Sequence, residues 1–129
     1  MKLASTIGGT LLGLAFLTFG LNYFFNFIPM PDDPSPATAP HKMFMGALIP
    51  TGYFAFIKII EIIGALLVLV PKTRAVGLLF LGPIVVNILA FHGFFLKGAG
   101  LAGPPALVAV LALFVLITEW KAFAGLIKR

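Results

Sequence analysis

Ile57-Lys58-Ile59-Ile60-Glu61-Ile62-Ile63-Gly64-Ala65-Leu66-Leu67-Val68-Leu69-Val70 sets two charges inside an otherwise apolar run. Lys58 and Glu61 stand three residues apart. On a helix that spacing puts both on one face, within reach of each other. The run is long enough to lie in a bilayer, where a charge at mid-helix depth costs about 2.5–3.5 kcal/mol on insertion scales. The pair therefore costs about 5–7 kcal/mol. The twelve Phe, Ile, Leu and Val residues from Phe54 to Val70 offset about 4–7 kcal/mol at roughly 0.3–0.6 each. A helix that inserts so near break-even needs partners for its charges on neighbouring helices.

The rest of the chain supplies such neighbours. Hydrophobic residues make up 60% of the 129 and charged residues only 10%. Soluble domains average about 45–50% apolar and about 25% charged. So few charges cannot cover a water-facing surface of this size, and a lipid bilayer is the solvent that fits. The length favours one domain over residues 1–129. There is no Cys, which excludes disulfides, thiolate metal sites and intrinsic dithiol chemistry. The net charge of +5 sits at segment ends and does not interleave with aromatics. It therefore reads as a topology signal, and nucleic acid is not an expected partner.

Four apolar spans are expected, over about 3–28, 53–70, 75–96 and 101–121, giving an all-α integral membrane four-helix bundle. Lys2 before the first run has the look of a secretory signal, but the run exceeds an h-region of about 7–15 residues. Ser5, Gly9 and Gly13 recur every four residues and form a small-residue ridge for close packing. Pro29 to Pro36 is a proline-rich loop. Its Asp32 and Asp33, with His41, lack the spacing of a metal site and read as solvated. A short interfacial helix is expected after it, in the first outer loop, before Pro50-Thr51-Gly52. Whether residues 43–70 form one kinked helix or two is left open. Pro83 is expected to bend the third span near Ile84–Asn87. Glu119, Trp120 and Lys121 mark the interfacial end of the fourth.

Four spans put both termini on one side. Lys2, Lys72, Arg74, Lys121, Lys128 and Arg129 lie there, against Lys42 and Lys97 opposite. This asymmetry predicts a bacterial-type inner membrane protein with both termini cytoplasmic. At about 1.5 Å per residue, Asn22, Lys58, Glu61, Asn87 and His92 all fall within roughly 6–13 Å of the outer boundary. Three helices thus bring polar groups to similar depth, and these five residues are the candidate ligand-binding cluster. On an ideal helix Asn87 and His92 point about 140° apart, so either the bend at Pro83 brings both to the cluster or only one of them faces it.

Three stretches carry a family resemblance. They are Phe16-Leu17-Thr18-Phe19-Gly20-Leu21-Asn22 running on to Pro31, Thr51-Gly52-Tyr53 continuing through Lys58, Glu61 and Gly64, and Leu81-Gly82-Pro83 running on to His92. Together they resemble the DoxX family of small four-helix membrane proteins. The resemblance implies a four-helix membrane bundle and an association with quinone-linked redox chemistry. The family name comes from members associated with thiosulfate oxidation coupled to quinone, and other members are linked with oxidative-stress complexes. It brings no catalytic motif to carry over residue by residue. The expected function is a membrane redox component or accessory that binds a quinone-like amphiphile through the outer cluster. A soluble redox partner and homo-oligomerisation are compatible with that reading. The alternatives are a small-solute transporter or permeability subunit, and a structural partner subunit with no chemistry. No intrinsic cofactor is evident; a quinone is the candidate ligand.

Overall fold

The computed structural model describes residues 2–29, 32–99 and 101–127. Those residues are helical with no strand. The elements are α1 (Lys2–Phe25), α2 (Pro40–Leu48), α3 (Tyr53–Leu69), α4 (Arg74–Ala90), α5 (Pro104–Thr118) and α6 (Trp120–Ile127). A short 3₁₀ turn (Pro71–Thr73) leads into α4, and a π-helical turn (Phe91–Phe95) follows it.

The four long helices close a ring in which α1 meets α3, α3 meets α4, α4 meets α5, and α5 returns to α1. Glycines set the close approaches. A Cβ on Gly13 would meet Leu69 and the Ala65 carbonyl, and one on Gly20 would meet Ile62. Rising numbers on α1 thus face falling numbers on α3, so the pair is antiparallel. A Cβ on Gly77 would lie 2.7 Å from the Val68 nitrogen and 2.9 Å from the Gly64 carbonyl, so α3 and α4 touch backbone to backbone. Leu12, Phe16, Ala65, Val68, Leu81, Val85, Val108 and Val115 fill the middle of the ring.

The outer surface is as apolar as the inside. Ile7, Leu11 and Leu14 on α1 are about half exposed, and Leu107, Val110, Leu113 and Ile117 on α5 more so. Small residues face the neighbours and large aliphatic ones face out, an arrangement that lipid favours and water does not. Lys2–Phe25 and Pro71–Phe95 are each long and apolar enough to cross a membrane. The number rises to four if the two bent pairs, α2 with α3 and α5 with α6, each count as one span.

The breaks have local causes. The first span was expected to reach Ile28, but α1 stops at Phe25. Asn26 turns left-handed at φ 53°, and the Asn22 side chain takes the Ile28 N–H at 2.7 Å and donates to its carbonyl at 3.3 Å. Residues 43–70 form two helices, turned 82° to each other. Gly52 supplies the turn with φ 82°, which a side chain would strain. The bend expected after Pro83 is not the irregular point, since α4 stays helical to Ala90. Leu79, whose carbonyl Pro83 cannot serve, lies with Pro83 on the exposed side of the helix, away from the buried Leu78, Leu81 and Val85. The departure comes instead at Phe91–Phe95. At the other end α5 stops at Thr118, and α6 leaves at 83°.

Candidate functional site

α3 and α4 diverge on the side of the ring away from α1 and α5. Between them lies a cavity of about 1170 Å³, larger than the roughly 300–1,000 Å³ of most ligand sites. None of its lining residues comes from α1 or α5. α2 crosses one end, where Phe44 stacks on Phe95 with ring centres 4.8 Å apart and meets Phe91 edge-on. The walls are apolar, including Ile57, Ile60, Phe80 and Ile84. Lys58, Glu61, Asn87 and His92 are the charged and amide or imidazole groups among the lining residues.

Lys58 and Glu61 meet as their spacing predicts. Lys58 Nζ donates to Glu61 Oε1 at 3.3 Å and sits 5.2 Å from the centre of the Phe54 ring. Glu61 is only 2% exposed. Its second oxygen, Oε2, is buried with no hydrogen-bond partner among the described residues. That oxygen points past the groove toward α1, 3.5 Å from where a Cβ on Gly20 would be. Glu61 therefore links the groove wall to the interior of the ring, with half of its hydrogen-bonding capacity unused. Such a group is costly to bury unless something outside the resident fold repays it.

Asn87 and His92 both line the cavity, although five residues separate them. α4 is regular through Ala90, and a π turn follows at Phe91–Phe95, so the two residues reach the cavity from different sides of the helix and the cavity is wide enough to touch both. Asn87 Nδ2 donates to the Pro83 carbonyl at 2.8 Å. His92 Nδ1 lies 2.9 Å from the Ile88 carbonyl. A carbonyl only accepts, so Nδ1 carries the hydrogen and Nε2 of the neutral ring is an acceptor. The segment closes through Lys97 and Gly98, both left-handed, with the Gly98 N–H on the His92 carbonyl at 2.7 Å.

Asn22 is not among the residues lining this cavity. It is buried and ties the end of α1 to Ile28. The structure thus gathers four of the five expected cluster residues around one groove and gives Asn22 a place in the chain turn.

A second polar group was not expected. Arg74, read from sequence as a loop charge, is 2% exposed. Its Nε donates to the Val68 carbonyl at 2.8 Å, and its two terminal nitrogens lie 3.4 Å from Ser5 Oγ and from the Leu69 carbonyl. Glu119 closes the set with an ion pair to Arg74 at 3.7 Å and a hydrogen bond from Ser5 Oγ. Thr73 Oγ1 donates to the Leu67 carbonyl at 2.7 Å. Three of the carbonyls that the end of α3 leaves unbonded are thereby served by two side chains. Arg74 fits because Gly9 has no Cβ, and one there would run into its Nε. The Ser5-Gly9-Gly13 ridge signalled close packing, but nothing in its spacing says that what packs there is a guanidinium.

The proline-rich loop is also ordered by polar contacts. Asp33 Oδ1 accepts the Ser35 N–H at 2.9 Å, and Oδ2 meets His41 Nε2 at 2.7 Å. Bonds from Ser35, then His41, hold the Asp33 carboxyl well below the usual carboxylate range. Lys42 reaches back to the carbonyls of Asp33 and Ser35. Among the described residues no three His, Asp or Glu side chains form a group that could hold a metal ion. Comparison with models of known families, with curated proteins and with solved structures finds no match.

Proposed function

We propose that the chain is a multi-pass membrane protein of DoxX type, a four-span bundle whose α3–α4 groove binds the polar head of a membrane-soluble amphiphile, with a quinone-like ring as the leading candidate. The carrying observation is the convergence of Lys58, Glu61, Asn87 and His92 on one large, apolar-walled cavity. Charged groups at membrane depth mark functional sites more often than lipid-facing surface. The groove lies on the outside of the ring, so an amphiphile can enter sideways from the lipid while its head reaches the polar groups. With α2 and α6 nearly perpendicular to their neighbouring spans, both suit the membrane interface, at opposite ends. On this reading the termini are cytoplasmic and the groove belongs to the outer leaflet, in a bacterial-type inner membrane.

Transport is less well supported. Between the groove and the Arg74 end, the ring is filled by Leu12, Phe16, Ala65, Val68, Leu81 and Val85, and this packing offers no polar path. The test is titration of purified protein with ubiquinone and menaquinone analogues, by thermal shift and spectroscopy, beside Glu61→Gln and Asn87→Ala. Saturable binding to wild type, weakened in both variants, is expected. Absence of binding, or equal binding by all three proteins, would overturn the proposal.

A further inference from the structure

Resting on the groove as the binding site, we infer that it selects an amphiphile whose head carries a hydroxyl hydrogen, a phenol or hydroquinone, over one offering only carbonyl or ether oxygens. The donors and acceptors lining the groove are only partly committed within the protein. His92 Nδ1 is committed to the Ile88 carbonyl, which leaves Nε2 as an acceptor with no donor among the described residues. Asn87 Nδ2 gives one hydrogen to the Pro83 carbonyl, which leaves its Oδ1 as a second open acceptor. Lys58 gives one hydrogen to Glu61 and retains two. The second Asn87 hydrogen is also uncommitted.

The groove therefore presents both donors and acceptors. A carbonyl or an ether oxygen answers the donors alone and leaves His92 Nε2 and Asn87 Oδ1 desolvated and unpaired. A hydroxyl answers both, because its oxygen accepts from Lys58 or Asn87 while its hydrogen goes to Nε2 or Oδ1. A site built to bond a hydroxyl discriminates strongly against an analogue lacking it, since its own polar groups are then stranded.

The experiment compares para-nonylphenol with its methyl ether, para-nonylanisole, by calorimetric titration into protein in lipid nanodiscs. The pair shares shape and tail and differs in one hydrogen, and neither compound needs a redox partner. Wild type should bind the phenol about tenfold more tightly than the ether. In His92→Phe, which keeps an aromatic ring beside Phe91, and in Asn87→Leu, the ratio should fall toward one. The ratio is measured within each variant, so general damage to the fold, which lowers both affinities, does not imitate the effect. Equal binding of phenol and ether by wild type would overturn the hydroxyl preference and leave the groove as a site. A preference for the ether, or a ratio that survives both substitutions, would also overturn it. If neither compound nor any quinone analogue binds, the groove reading itself fails.

Discussion

Two polar groups lie along α3, one near its middle around Lys58 and Glu61 and one at its C-terminal end around Arg74, and they are built in opposite ways. At the Arg74 end one guanidinium meets Ser5, Glu119 and two carbonyls, so α1, α3, α4 and α5 are joined through a single side chain. The protein supplies nearly every partner that Arg74 can use. Around Lys58 and Glu61 the described residues supply too few, leaving His92 Nε2 and Asn87 Oδ1 without donors among them and Glu61 Oε2 unpaired behind the groove wall. Both groups carry the expense of burying charge in an apolar body. Only the first converts it into contacts between helices. A closed set of polar partners holds a fold together, and an open one beside a cavity is available to something that comes from outside.

The largest expected effect is at the closed group. Arg74→Ala strands Glu119 and frees the α3 carbonyls, so unfolding in detergent should lose about 3–5 kcal/mol of stability, read from helical circular dichroism against denaturant. Arg74→Lys should recover only part of that, because one ammonium cannot replicate the planar fork. Gly9→Leu should approach the Arg74→Ala loss, since its side chain would occupy the guanidinium's place. If Gly9→Leu melts like wild type, the closed group is not the clamp described.

The open group should respond more mildly. Lys58→Met and Glu61→Gln should each cost about 1.5–3 kcal/mol, the range for a hydrogen bond to a charged group. The double substitution should cost less than the sum, by about 0.5–3 kcal/mol. Strict additivity would mean that the contact at 3.3 Å contributes nothing. Groove singles as damaging as Arg74→Ala would erase the contrast between the two groups.

The smallest effect is in the proline-rich loop. The Asp33 carboxyl is held below the usual range when folded, so its contribution is present in full above the unfolded value near 3.9 and is lost only as pH falls through the lower folded value. Ser35 amide protection, corrected for intrinsic exchange, should therefore hold from about pH 7 to pH 4 and disappear in Asp33→Ala. Loss of protection before pH 4 would show that the Asp33 bonds are not what orders the loop.

The open group was more legible in the sequence than the closed one. Lys58 and Glu61 lie in one helix at a spacing that dictates their contact, and counting residues from the span ends put Asn87 and His92 in the same half of the bundle as that pair. Counting could not say that both would line one groove, because five residues set them about 140° apart on a uniform helix and only the width of the cavity reaches both. Nor could it tell that Asn22, at the right depth, would be used by its own chain turn at Ile28. Arg74 was misplaced for a different reason. A basic residue in a Pro-Lys-Thr-Arg turn has the same local signature whether it faces water or folds back between helices. Only the juxtaposition of Ser5, Gly9 and Glu119, from distant parts of the chain, decides between the two. The four long helices themselves were readable from hydropathy, while their ends at Phe25 and Thr118 were set by side-chain bonds and breaks that hydropathy does not record.

The contrast between the two groups is tested most directly by one double comparison. Leu79 lines the groove and is 41% exposed, so Leu79→Trp should fill the groove without disturbing the ring. Native mass spectrometry of wild type, Leu79→Trp and Arg74→Ala in nanodiscs loaded with para-nonylphenol would measure bound ligand per folded molecule, with melting temperature recorded in parallel. The account predicts that Leu79→Trp keeps its melting temperature and loses the ligand, whereas Arg74→Ala melts early and keeps the ligand while folded. Ligand retained by Leu79→Trp, or lost from folded Arg74→Ala, would contradict it.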